Sequence, residues 1–269
     1  MKSYKRMILK GIFVISTVLA TAANALAGQI LIINGSSVTS EGDTTQAITN
    51  NLNAVLLAAG NTTTIVDDMP VSFTGYAQVW DLRFSNASAL GSGQIAQYLS
   101  YLQGGGGVFL MGENSNFMQR NNSILALISA AGGGTINYTG VESTQTVNAP
   151  FTGPNLIADG TVTYAAPGGL DSAGTGMFIT SDVNGNGTGV AFSVGDLANA
   201  SAGALTTIFD VNFMQGMTDQ PDSQNLLRNL AGFVADEVDP PSDVPEPATL
   251  ALFGVGLAGL RLLRSKQSA

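Results

Sequence analysis

The sequence predicts an α/β fold: a doubly wound, mainly parallel sheet with a β-rich insertion. Short apolar or β-branched runs alternate with helical stripes from Gln29 to Gly134, and the alternation returns from Leu205 to Val238. Strands and helices of these lengths, in alternation, are what a sheet covered by helices on both faces requires. Cysteine is absent, so a hydrophobic core has to hold the domain without disulfides.

Gln29–Ile33 is a nearly continuous apolar run, which suits a parallel strand buried on both faces. After the polar loop 34–43, a helix is expected over Thr44–Ala59. Its stripe is Ile48, Leu52, Val55, Leu56 and Ala59, and Gly60 closes it. Thr62–Val66 reads as the second strand, ended by Asp67-Asp68-Met69-Pro70, and Gln78–Leu82 as the third. Ser92–Leu102 is a second helix with Ile95, Leu99 and Leu102 on one face. Gly104–Gly107 turns the chain into a fourth strand, Val108–Met111, and a third helix, Ser123–Ala131, stops at Gly132-Gly133-Gly134.

From Asn137 to Val194 the composition shifts to Thr, Gly and Pro. Short β-like pieces occur at Thr144–Val147, Thr161–Tyr164, Met177–Thr180 and Val190–Val194, with no helical stripe. Residues 137–194 therefore read as an insertion outside the core sheet. Leu205–Asp210 is expected as the last core strand. Ser223–Val238 is the closing helix, with Leu226, Leu227, Leu230, Phe233 and Val234 inward.

Both ends differ from this domain (residues 28–238). Lys2, Lys5, Arg6 and Lys10 precede the apolar run Ile12–Ala23, and Ala25 and Ala27 then place small residues where a signal peptidase reads them. Residues 1–27 read as a signal helix cleaved before Gly28. At the other end a linker, 239–243, leads into Val244-Pro245-Glu246-Pro247-Ala248, the apolar run Thr249–Leu260, and Arg261, Arg264 and Lys266. A transmembrane helix over Ala248–Leu263 would reach about 24 Å. That is short against a hydrocarbon layer of about 30 Å unless Arg261 snorkels or the bilayer thins. The basic cluster would stay cytoplasmic, which leaves the main domain outside.

Residues 244–269 resemble the PEP-CTERM sorting domain, with its Pro-Glu-Pro triplet, short Gly- and Leu-rich helix and basic terminus in that order. The resemblance implies recognition by a membrane exosortase and cleavage near Pro245, Glu246 and Pro247. It also implies a transient inner-membrane anchor, then release or transfer to the cell surface, often beside exopolysaccharide. An ordinary proline linker before a plain anchor is the bland alternative.

The central domain is similar to the class I glutamine-amidotransferase-like group of flavodoxin-like folds, trehalose-utilisation-type proteins included. The residues that carry this are Ile30–Asn34, Tyr76–Asp81 and Tyr98–Gly112, the last holding the Gly104–Gly107 turn into Val108-Phe109-Leu110-Met111. The group's pattern wants a cysteine after the fourth strand and a histidine later. Glu113, Asn114 and Ser115 stand at the first of these places, so amidotransferase activity does not carry over.

Between residues 28 and 244 there are 18 acids against three bases, Arg83, Arg120 and Arg228, a net charge of −15. Such a surface repels nucleic acid and anionic lipid. Histidine is absent from the chain and lysine from this segment. Ser-His-Asp, Cys-His and Ser-Lys chemistry, Schiff bases and His- or Cys-based zinc or copper sites are excluded with them. Carboxylates alone remain as general acids or bases, and no cofactor is implied.

In an open α/β sheet ligands bind beyond the carboxyl ends of the strands. Those ends supply Asn34 and Ser36, Asp81 and Arg83, Glu113 and Asn114, and Asp210 and Asn212. Two readings stand. The cluster suits a sugar or other polyhydroxyl ligand; equally, Asp81 and Arg83 form an ion pair that closes the loops while Asn34 and Asn114 cap turns. Gly104–Gly107 follows a helix and precedes a strand, the reverse of a phosphate loop, and reads as a helix stop. Asp182, Asn184 and Asn186 match positions one, three and five of a calcium loop, but Ser193 occupies the twelfth, so a Gly/Asn hairpin is favoured. Trp80 reads as core. The function expected is a non-catalytic exported surface or matrix protein that meets signal peptidase, exosortase and exopolysaccharide. The alternative is a carboxylate-dependent hydrolase of extracellular glycan.

Overall fold

Consecutive residues of β1 (Gln29–Ile33) serve two different cores. Ile30 and Ile32 share a buried cluster with residues of α1 (Gly42–Ala58) and α4 (Asp222–Val238). Leu31 and Ile33 share another with α2 (Ser92–Gln103) and α3 (Met118–Ala131). Side chains alternate across a strand, so one covered by helices on both faces must be apolar at every step. The computed structural model describes residues 29–36, 42–215 and 221–238, all within one unit, Ala27–Asp239. The expected signal peptide, with its cleavage residues Ala25, Ala27 and Gly28, lies outside the described residues. So do the linker and the sorting and membrane segment (Pro245, Glu246, Pro247, Arg261, Arg264, Lys266). Among the described residues no helix is long and apolar enough to cross a membrane.

Nine strands form the main sheet among these residues. Its order is β2 (Thr62–Val66), β1, β3 (Gln78–Asp81), β4 (Gly107–Met111), β11 (Ala204–Ile208), β10 (Gly189–Phe192), β9 (Met177–Ser181), β6 (Thr144–Val147) and β7 (Thr161–Thr163). The first five are parallel. With β11 in fifth place they follow the flavodoxin-like order, in which the chain winds outward from β1 in both directions. A separate pair joins β5 (Tyr138–Thr139) to β8 (Gly169–Leu170).

Residues 137–194 do not lie outside this sheet, as the composition suggests; four of their strands extend it. Strand β10 pairs antiparallel with β11 from Gly189↔Ile208 to Phe192↔Leu205, and β9, β6 and β7 continue outward. Physically, β11 would otherwise present a row of unpaired N–H and C=O groups at a fully buried edge. Helix α3 also begins earlier than Ser123. Asn114 caps the short 3-10 turn Ser115–Phe117 by accepting from Asn116 N (3.0 Å), and Asn86, distant in sequence, accepts from Gln119 N (2.9 Å) in the first turn of α3.

Candidate functional site

Strands β1, β3, β4 and β11 are neighbours and parallel, so their carboxyl ends share one edge of the sheet. The eight residues singled out from the sequence all stand at these ends. Side-chain contacts also tie neighbouring strand ends together. Arg83 packs its stem over Gly35, where an added Cβ would lie 2.5 Å from Arg83 Cγ and where φ is +70°. Glu113 Oε2 accepts from Val211 N (2.6 Å), tying the end of β4 to the end of β11.

Asp81 is fully buried and forms the centre of an ionic cluster. Arg83 grips it with both arms, Nε to Oδ1 (2.8 Å) and Nη2 to Oδ2 (2.7 Å), and its backbone N donates to Oδ1. The Tyr98 hydroxyl donates to Oδ2 (2.8 Å). Arg120, also fully buried, donates to Met111 O and Ser88 O. Its Nη2 lies 3.1 Å from Asp81 Oδ2, near enough for an ion pair but off the direction a hydrogen bond needs. Burial pushes the Asp81 carboxyl up, but Arg120, Arg83 and the bonds from Arg83 and Tyr98 together hold it well below the usual carboxylate range. Burial pulls the Arg120 guanidinium down, whereas Asp81 outweighs burial at Arg83 and pushes it up. Arg120 is wholly buried and also feels the Arg83 charge, whereas Arg83 is less deeply buried and holds Asp81 with two bonds.

The other carboxylates are turned toward backbone. Glu113 Oε1 accepts from Asn114 N (3.0 Å) and Nδ2 (2.8 Å). Asn121 holds the same stretch from α3: its Oδ1 accepts from Glu113 N (3.0 Å) and its Nδ2 donates to Glu113 O (2.6 Å). Asp210 accepts from Ala166 N (3.1 Å) and Asn212 N (2.7 Å). Burial pushes its carboxyl up against the pull of these N–H groups. Asn34 Oδ1 accepts from Ser36 N (3.0 Å), and Ser36 Oγ donates to Asp67 Oδ1 (2.6 Å). Sequence reasoning missed Arg120, Asn121 and Tyr98 as members of this cluster. The signal for Arg120 was its phase: it stands four and seven residues before Ile124 and Leu127, on the face that α3 buries.

Asp182 closes the hairpin between β9 and β10. Its Oδ1 accepts from Asn184 N (2.8 Å) and Asn186 N (3.0 Å), and its Oδ2 from Glu142 N (3.1 Å). Backbone donors thus occupy the carboxylate that would begin a calcium loop. Among the described residues no group of three or more His, Cys, Asp or Glu could hold a metal. Gly104 N donates to Ser100 O and Tyr101 O, so the glycine run ends α2. Two clefts stand away from the carboxyl edge. One, of about 430 Å³, lies between loop 71–76 and α2 at the amino ends of the strands. The other, of about 340 Å³, lies between α1 and α4 and includes Val55, Ala58, Ala231, Gly232 and Arg228.

The architecture is a mixed α/β fold with a large, mainly parallel sheet, and solved structures share it. The mmIFT52 N-terminal domain is similar with a TM-score of 0.54 and 11% identity, over 77% of this chain and 97% of that one. A ThuA-like protein from Bacteroides uniformis is similar with a TM-score of 0.50 and 13% identity, over 81% and 96%. At such identities the likeness is one of fold. No curated protein matches the sequence. Residues 243–266 match the PEP-CTERM protein-sorting motif. The chain thus carries at its C-terminus the signal of a protein sorted by a membrane exosortase to the cell surface.

Proposed function

We propose that this chain is an exported envelope or matrix protein whose α/β domain binds glycan of the surrounding exopolysaccharide without transforming it. Signal peptidase releases its N-terminus at Gly28, and exosortase cuts near Pro245-Glu246-Pro247 after a transient stay in the inner membrane. The sorting motif supports the destination. The observation that carries the non-catalytic role is the state of Asp81, which two guanidiniums and a phenol surround with no exposed surface. A carboxylate so held stays ionised throughout the physiological range and neither gives nor takes a proton at a bound molecule.

One observation favours the second reading, a carboxylate hydrolase. Asp210 and Glu113 stand on adjacent strand ends, and burial raises the Asp210 carboxyl, as in an acid that keeps its proton. Both side chains, however, are engaged with backbone N–H groups. The test is to incubate the exported protein with a panel of neutral and acidic glycans, following retention and new reducing ends together. Retention without reducing ends is expected. Reducing ends that vanish in Asp210→Asn would replace this reading with the hydrolase.

A further inference from the structure

We propose that the cleft at the amino ends of β3 and β4 is a subsite for a neutral saccharide. This rests on the glycan-binding reading and moves its site to the edge of the sheet opposite the carboxyl ends. None of the ten residues lining the cleft carries a charge, although residues 28–244 together have a net charge of −15. The lining offers the hydroxyls of Ser72, Thr74 and Ser100, the phenols of Tyr76 and Tyr101, and the amide of Gln97. Ser72, Gln97 and Tyr101 each spend a donor within the wall, but hydroxyl oxygens also accept and an amide has further donor and acceptor positions. Together they complement a ligand that is itself rich in hydroxyls and uncharged. An acidic sugar would find no cation here and would enter against the field of the whole domain.

The walls are also built before any ligand arrives. Tyr101 donates its hydroxyl to Tyr76 O (2.9 Å), and Gln97 Nε2 donates to Pro70 O (2.9 Å), so α2 holds both ends of the loop that forms one wall. Ser72 Oγ donates to Thr74 Oγ1 (2.9 Å) across that loop. Phe73 anchors it from below, its ring 5.0 Å from Tyr98 and 5.3 Å edge-on from Tyr101. A cleft fixed in this way loses little freedom on binding. Its volume of about 430 Å³ falls within the roughly 300–1,000 Å³ of small-molecule clefts. Tyr76 and Tyr101 line the cleft half-buried, and aromatic side chains are the residues on which the apolar face of a pyranose packs.

The test uses the exported protein with cellohexaose as the neutral probe and oligogalacturonate as the acidic one, read by calorimetry. Two variants alter the cleft: Ser100→Trp, which fills it from an exposed position on α2, and Tyr76→Ala, which removes a ring. Ala59→Trp fills the cleft between α1 and α4 instead and serves as the control. The expected result is binding of cellohexaose only, weakened roughly tenfold or more by Ser100→Trp and Tyr76→Ala and unchanged by Ala59→Trp. If Tyr76→Ala does not fold, Ser100→Trp decides alone. Cellohexaose binding that survives both cleft variants, or equal binding of oligogalacturonate, overturns this cleft and leaves the glycan-binding reading standing. A wild-type protein that binds no member of the glycan panel overturns both.

Discussion

Replacing Asp81 with alanine is expected to lower stability by about 3–5 kcal/mol, because it strands two charges rather than removing a pair. Arg83 and Arg120 would face each other in a site where Arg120 is fully buried, with Met111 O and Ser88 O as the remaining acceptors for Arg120. The urea midpoint at pH 7 measures the loss. A triple replacement, Asp81→Ala with Arg83→Leu and Arg120→Met, should recover much of it, since a buried ionic cluster often contributes little over a packed apolar one. Asp81 also sets a pH dependence. Its folded pKa lies below that of the unfolded chain, so its contribution is complete above the ordinary carboxylate range and is lost as pH falls toward the folded value. The gap between wild type and Asp81→Ala should therefore shrink by about 1.4 kcal/mol for each pH unit below about 4. A gap that stays constant to pH 2 would show that Asp81 is not held by these charges.

Trp80→Ala should cost about 3–5 kcal/mol as well, through a cavity rather than a charge. Trp80 has no exposed surface, pairs in register with Ile32 and Phe109, and stacks on the Phe109 ring at 4.7 Å. Its Nε1 donates to Gln78 Oε1 (3.0 Å). The protein has one tryptophan, so fluorescence reports this position alone. Emission should be blue-shifted, shielded from acrylamide, and unmoved by any glycan. A shift on adding glycan would make Trp80 a sugar-stacking platform and contradict its place in the core.

The parallel half of the fold was legible because each of its strands is bounded by turn residues and each of its helices carries a stripe. Gln29–Ile33 and Thr62–Val66 match their observed limits, and α2 differs from its expected end by one residue. The antiparallel wing was not legible as part of the same sheet. Strand β6 alternates exposed and buried, which identifies a strand but not its partner; that β10 lies against β11 depends on pairings such as Gly189↔Ile208, invisible to local pattern. At the candidate site the strand-end rule found Asp81 and Arg83. It missed Arg120 because the expected helix began at Ser123, one turn after the residue that closes the ionic cluster.

Export and sorting are tested most directly at the tail. Proline disfavours helix at its own position and the one before, and a carboxylate avoids hydrocarbon; these are the properties by which the proposed reading has Pro245-Glu246-Pro247 present a cut site to exosortase. The measurement is the mass of the protein in membrane and released fractions of a host with an exosortase, for the wild type and for a variant with Pro245-Glu246-Pro247 replaced by three alanines. The wild type should appear in the envelope or medium without Thr249–Ala269 and with Gly28 as its first residue. The alanine variant should stay full-length at the C-terminus and held in the membrane. Equal processing of the two would reduce the triplet to a linker, and Met1 retained on the released protein would contradict export by a cleaved signal.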